Sequence, residues 1–245
     1  MSRFTISFHT GRTMMIIQRL AIAVAICSLS ITAAQAGHIG SNDPATQGFT
    51  ADGMTENGSG VDDNGTPAWR IATGPAGQEL MYNADLSAQQ IADANANGYR
   101  LRTNLRIDAA NKPLDSDVMG LWAQVGDNWW LVRFTTDNEK NPPVHVHNNS
   151  DSHAVSGAGY HLYELNVAPG GSSADLFVDG NQVLSGLNSA NNPGSKLRFG
   201  DGSNSASGAI AYYNQVELAI IPEPATLGLL LLGLAGLIMV RRQKA

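Results

Sequence analysis

Tyr99-Arg100-Leu101-Arg102-Thr103-Asn104-Leu105-Arg106-Ile107-Asp108 alternates without a break: Leu101, Thr103, Leu105 and Ile107 fall on one side, Arg100, Arg102, Asn104 and Arg106 on the other. A period of two is the mark of a strand with one buried and one wetted face. Further strand patterns follow at 119–125, 128–135, 144–147, 160–167, 174–178, 182–184, 196–199 and 209–220. Gly126-Asp127 and Asp179-Gly180-Asn181 between them have the residue types that tight hairpins need. Just before the alternating stretch lies one helical pattern, 86–96, with Ser87 as N-cap, Gln90 as its capping-box partner and Gly98 as terminator. Many short strands and a single helix predict an all-β fold, an antiparallel sandwich rather than a chain of βαβ units.

Working outward, residues 37–68 are rich in Gly, Asn, Asp and Ser and show little periodicity. They are expected to form an irregular leading segment with at most short strands, which leaves the sandwich to 69–221. Further upstream, Arg19 precedes an apolar run over 20–31 and then Ala34-Gln35-Ala36. A basic flank, a run too short to span a bilayer and a small-residue exit predict a secretory signal peptide over 1–36, cut before Gly37 by signal peptidase, with Met14 or Met15 as alternative starts. Ile26 precedes Cys27 where a lipid-modified cysteine requires a small residue.

At the other end Pro222-Glu223-Pro224 is followed by 225–240, apolar apart from Thr226, and then by Arg241-Arg242-Gln243-Lys244. The two prolines keep a helix from starting earlier. The run predicts a single C-terminal transmembrane helix, slightly short, accommodated by tilt or bilayer thinning. The basic cluster prefers the cytoplasmic side, which puts the preceding domain outside.

Pro-Glu-Pro-Ala-Thr, a Leu/Gly-rich helix and a terminal basic cluster together resemble the PEP-CTERM sorting signal of Gram-negative bacteria over 222–245. The resemblance implies recognition by a membrane-embedded exosortase, cleavage near Pro-Glu-Pro, transient residence in the inner membrane, and delivery to the cell surface, outer envelope or extracellular matrix. Such proteins are typical of bacteria that make exopolysaccharide and biofilm matrix.

Charge sharpens once the ends are set aside. Of 15 Lys+Arg, three precede the expected cleavage point and three follow the apolar tail, while 20 of the 21 acids lie between, so the central segment carries a net charge of −11. Such a domain repels phosphate backbones, and nucleic acid is not an expected partner. The one cysteine, Cys27, falls in the signal peptide, so no disulfide or cysteine-ligated metal is expected after processing.

The order of the helix, Gly98 to Ile107, Tyr160-His161-Leu162-Tyr163-Glu164-Leu165, Ala174-Asp175-Leu176-Phe177-Val178-Asp179-Gly180, Leu197-Arg198-Phe199-Gly200-Asp201-Gly202 and Ala211-Tyr212-Tyr213-Asn214-Gln215-Val216-Glu217-Leu218 is similar to the concanavalin A-like lectin/glucanase (laminin G-like) jelly roll. That resemblance implies a jelly-roll β-sandwich; it supports fold well and function poorly.

The sequence has no Glu-x-Asp-x-x-Glu run of the kind that puts paired acids into one glycosidase cleft, and Glu164 and Glu217 each lack an acid two or four residues away. His145 and His147 share a strand face, a geometry that can hold a metal or move a proton, with His153 and His161 nearby in sequence. Polysaccharide lyases on this fold use Arg, Gln, His and Tyr, and Arg100, Arg102, His145, His161, Tyr213 and Gln215 supply those types. Asp62, Asp63 and Asn64, or Asp201 with Asn204, could give oxygens to calcium, although the same residues are default turn formers. For sugar stacking, Trp130 shares a face with Val132 and Phe134 and is expected in the core, whereas Trp129 shares one with Leu131 and Arg133; Trp122 and Tyr213 are the other aromatic candidates.

The expectation that emerges is an exported surface or matrix protein, non-enzymatic, with no cofactor, calcium being the alternative, and able to bind extracellular polysaccharide. The alternative is a secreted carbohydrate-active enzyme, lyase or hydrolase; a passive structural matrix protein is the second alternative.

Overall fold

The computed structural model describes residues 36–74, 79–108, 119–134, 143–202 and 209–221. Of the expected signal peptide over 1–36, only Ala36 is described, as the first residue of a strand opposite Leu218; the rest, with Ala34, and the expected sorting tail, with Pro222, Glu223, Pro224, Arg241 and Arg242, lie outside the described residues. Among the described residues no helix is long and apolar enough to cross a membrane.

In chain order the strands are β1 (Ala36–Ile39), β2 (Thr50–Gly53), β3 (Gly58–Asp63), β4 (Thr66–Ala72) and β5 (Leu80–Asp85), then helix α1 (Ala88–Asn97), then β6 (Tyr99–Asp108), β7 (Met119–Phe134), β8 (Val144–Val146), β9 (Ser152–His153), β10 (His161–Val167), β11 (Ser173–Val178), β12 (Asn181–Asn188), β13 (Ala190–Asp201) and β14 (Ile210–Ile220). They form an antiparallel sandwich. One sheet has eight strands in the order β12-β11-β10-β6-β14-β4-β3, with β1 also on β14; the other has six, β2-β5-β13-β7-β8-β9. Ala34–Ile221 is one compact unit.

The alternation read from β6 holds residue by residue: Tyr99, Leu101, Thr103, Leu105 and Ile107 are buried, and the four residues between them and Asp108 are not. Strands with one wetted face can pack only by turning their apolar faces together. Phe199 of β13 sits at the meeting of the two sheets, its ring 4.9 Å from Tyr213 of β14, 5.3 Å from Tyr82 and 5.2 Å from Phe49. The helix is capped as its sequence dictates: Ser87 Oγ accepts the Gln90 N–H at 3.2 Å, Gln90 Oε1 accepts the Ser87 N–H at 2.8 Å, and Gly98 ends it at φ 80°.

Residues 37–68, expected to be irregular with at most short strands, carry the short strands β1, β2 and β3, and these belong to the two sheets. β1 pairs with β14, β2 with β5 and β3 with β4. His38 is fully buried and Phe49 nearly so. Edge strands that bury one side chain every several residues, among glycines and acids, carry no hydrophobic period to read.

β7 is a single assigned strand of 16 residues, yet it folds back on itself. A Cβ on Gly120 would lie 3.0 Å from the Leu131 side chain, whereas eleven extended residues at about 3.3 Å each would separate them by roughly 36 Å. The reversal is at Gly126 (φ 63°) and Asp127, as the turn chemistry predicts. A two-residue turn pairs odd residues of the first arm with even ones of the second. That is why Met119, Leu121, Ala123 and Val125 share the core with Trp130, Val132 and Phe134.

Candidate functional site

The residues singled out from sequence separate onto two outer faces and the core. Tyr213, a candidate sugar contact, is corrected: it is fully buried, and its hydroxyl donates to the Gly120 carbonyl at 3.2 Å between the sheets. Asp201, a candidate calcium ligand, is likewise buried, 1% exposed, at the end of β13. Asp62, Asp63, Asn64 and Gly65 make the β3–β4 hairpin, with Asn64 at φ 55° and Gly65 at φ 85°, the two left-handed positions of a type I′ turn. Asp62 Oδ1 accepts the Gly65 N–H at 2.7 Å, and Asp63 Oδ2 accepts from Arg106 Nε at 2.7 Å. Burial alone would raise the Asp63 pKa; the hydrogen bond and charge of Arg106 outweigh it and hold the carboxyl below its ordinary value. These acids are spent on the turn and on a cation.

Arg100 and Arg102 stand on the outer face of the eight-stranded sheet. Arg102 lies opposite Glu164 on one side and Glu217 on the other. Its Nε donates to Glu217 Oε2 at 2.6 Å, its Nη1 is 3.9 Å from Glu164 Oε2, and Arg100 Nε is 3.4 Å from Glu164 Oε1. Gln215 Nε2 also donates to Glu217 at 2.7 Å. The two glutamates thus flank the Arg102 guanidinium and are paired with it. His161 is on this sheet too, its Nδ1 2.6 Å from Asp179 Oδ2.

Next to this ladder, Asp63, Asn64, Thr66, Arg106, Ala158 and Tyr160 line a cleft of about 300 Å³. The Arg106 guanidinium lies 4.0 Å over the Tyr212 ring. The Tyr160 hydroxyl, buried, sits beside the Asp63 carboxylate without a hydrogen bond of good geometry. Sequence reading missed Arg106 and Tyr160 as a pair, since they are 54 positions apart and meet only through the pairing of β6 with β10 and β14.

Trp129, Arg133, His145 and His147 come together on the outer face of the six-stranded sheet, on the opposite side of the sandwich from the arginine ladder. Arg133 and His145 are cross-strand partners on β7 and β8. The Trp129 and His147 rings are 4.6 Å apart and tilted by 46°. The same sheet face carries Trp122 opposite Arg198, which lies opposite Asn83, and Gln124 opposite Lys196, which lies opposite Asp85. Polar bonds fix this arrangement. Asn149 exchanges two hydrogen bonds with Asn188, at 3.1 and 3.0 Å, and Ser189 Oγ donates to Asn128 Oδ1 at 2.8 Å. They tie the turn after β8 to the β12–β13 connection and hold His147 against Trp129.

Residues 221–243 match the PEP-CTERM protein-sorting motif, which marks an exported protein processed at a membrane. Over 178 residues the chain is 26% identical to a sialidase of Vibrio cholerae, covering 70% of this chain and 22% of the sialidase; it spans about a fifth of the length of the curated relatives it matches. A solved carbohydrate esterase of the Shiga toxin-encoding bacteriophage phi24B superposes with a TM-score of 0.56 at 15% identity, over 76% of this chain and 97% of that one. That likeness is one of fold. A lichenase from a mouse hindgut metagenome gives a TM-score of 0.46 at 14% identity, over 76% and 99%.

Proposed function

We propose that this chain is an exosortase substrate, exported past signal peptidase and carried to the cell surface or extracellular matrix, whose sandwich binds polysaccharide there without cleaving it. The observation that carries the reading is the Trp129–His147 ring pair on an outer sheet face, with Arg133 and His145 beside it. Sugar C–H faces stack on exposed aromatic rings, and flanking polar groups take the hydroxyls. Arg133, Lys196 and Arg198 outnumber Asp85 on this face, in a segment whose net charge is −11, which favours an acidic polysaccharide. The flanking of Arg102 by Glu164 and Glu217 supports the non-enzymatic part of the reading.

The test is binding of the full chain in detergent to an array of uronate polymers and neutral glucans, alongside Trp129→Ala. The expected result is retention of an acidic polymer, weakened at least tenfold by the substitution, with no new reducing or unsaturated ends in the bound polymer. Failure to retain any polysaccharide would leave the passive matrix role, and new chain ends would favour the enzyme. Intact mass of protein recovered from the producing cell checks export separately, since processing removes both termini.

A further inference from the structure

The cleft beside Arg106 joins the β3–β4 hairpin to the start of β10. Arg106 has its Nε on Asp63 at 2.7 Å, its Nη1 3.7 Å from Asp108, and one face over Tyr212 at 4.0 Å. A guanidinium so occupied, between two carboxylates, is a poor anion site: an incoming carboxylate or phosphate meets a surplus of negative charge. The same groups are well placed for hydroxyls. The Asp63 carboxylate offers acceptor lone pairs, Asn64 and Thr66 offer both donor and acceptor, and the Tyr160 hydroxyl is buried without a hydrogen bond of good geometry. A buried hydroxyl left in that state costs free energy, which a ligand hydroxyl would recover. Burial first, and then the neighbouring Asp63 carboxylate, push the Tyr160 phenol up from its ordinary value, so it remains a donor throughout the physiological range. At about 300 Å³ the cleft is at the low end of the roughly 300–1,000 Å³ of small-molecule sites, room for about one sugar ring.

We propose that the cleft formed by Asp63, Asn64, Thr66, Arg106 and Tyr160 is a binding site for a single neutral hexopyranose, such as a terminal or branch residue of a glycan. It lies on the eight-stranded sheet, apart from the aromatic face of the six-stranded sheet. The two differ in ligand charge as well as place, and either can fail without the other.

The experiment is saturation-transfer NMR on the full chain in detergent with the methyl glycosides of glucose, mannose and galactose, and with glucuronate and galacturonate as charged counterparts. Tyr160→Phe deletes only the hydroxyl. Ala158→Trp, from the exposed rim, fills the cleft without touching the core. At least one neutral glycoside is expected to bind at millimolar concentration, tenfold or more tighter than its uronate, with both substitutions weakening it at least tenfold and Trp129→Ala leaving it unchanged. The proposal is overturned by absence of binding to all three neutral glycosides, by a preference for the uronates, or by binding that survives Ala158→Trp.

Discussion

His38 stacks on Phe199 with ring centroids 5.5 Å apart and planes 19° from parallel, so a histidine of the first strand forms part of the wall of the aromatic core. Burial holds its pKa down to about 4 from the ordinary 6.5. Between those values the unfolded chain carries the proton and the folded one does not. Stability therefore falls as pH drops from 6.5 toward 4 and this contribution levels off below that. At about 1.4 kcal/mol per pH unit the window amounts to at most about 3 kcal/mol. Urea unfolding of fragment 34–221 across this range should show the slope, and His38→Phe, which keeps the stacking, should flatten it; equal slopes in both proteins would refute the assignment.

Glu217 is only 5% exposed although it faces outward, and its carboxylate takes Arg102 at 2.6 Å and Gln215 at 2.7 Å. Glu217→Gln keeps the shape and removes the charge. It should cost about 1.5–3 kcal/mol, the range for a hydrogen bond to a charged group. Pairing it with Arg102→Met should give a double substitution less costly than the sum of the two, because each residue's loss strands the other. Additive costs in denaturant titration would show that the pair is not coupled.

What the sequence could and could not disclose follows from how locally each feature is encoded. The register of β6 and the Ser87/Gln90 cap are set by neighbours within a few residues, and both are as read. The Gly126-Asp127 and Asp179-Gly180 turns are equally local, since only glycine and a few polar residues take the positive φ that such turns need. β1 to β3 escaped because His38 and Phe49 bury themselves against Phe199, some 150 residues away, with no period of their own. Tyr213 was misplaced for a related reason. A bulge at Asn214 shifts the register of β14 against β6, and strict alternation cannot show on which side of a bulge an aromatic ring falls. The cluster of Trp129 with His147 was half legible: the facing of Trp129 follows from parity, but its partner comes from β7–β8 pairing.

The hairpin reading of Asp62 to Gly65 makes its own forecast. Asn64 at φ 55° is in a region that asparagine and glycine tolerate and β-branched residues do not. Asn64→Gly should leave stability within about 0.5 kcal/mol, whereas Asn64→Val should cost about 1–2 kcal/mol. With Asp62 and Asp63 already engaged by Gly65 and Arg106, millimolar calcium or its chelation should leave the melting temperature of fragment 34–221 unchanged. A calcium-dependent rise in melting temperature that Asp62→Asn abolishes would restore the metal site.

Trp129 and Trp130 are adjacent in sequence and opposite in fate, which makes them the sharpest internal control. Trp130 is 1% exposed, packed among Val132 and Phe134, and its Nε1–H donates to the Gly171 carbonyl at 3.0 Å. Trp130→Ala leaves a large cavity and an orphaned carbonyl, and should cost about 3–5 kcal/mol. Trp129 lies on the outer face against His147; its removal forfeits one ring contact, worth about 0.5–1.5 kcal/mol beyond the area it covers. Chemical unfolding should therefore place the Trp129→Ala midpoint near that of the parent and the Trp130→Ala midpoint far below it. Polysaccharide retention should invert the order: weakened at least tenfold by Trp129→Ala in a protein that still melts cooperatively, and kept in whatever fraction of Trp130→Ala remains folded. If Trp129→Ala binds as well as the parent, stacking on that ring is not how the chain holds its ligand, and the search moves to the Arg106 cleft.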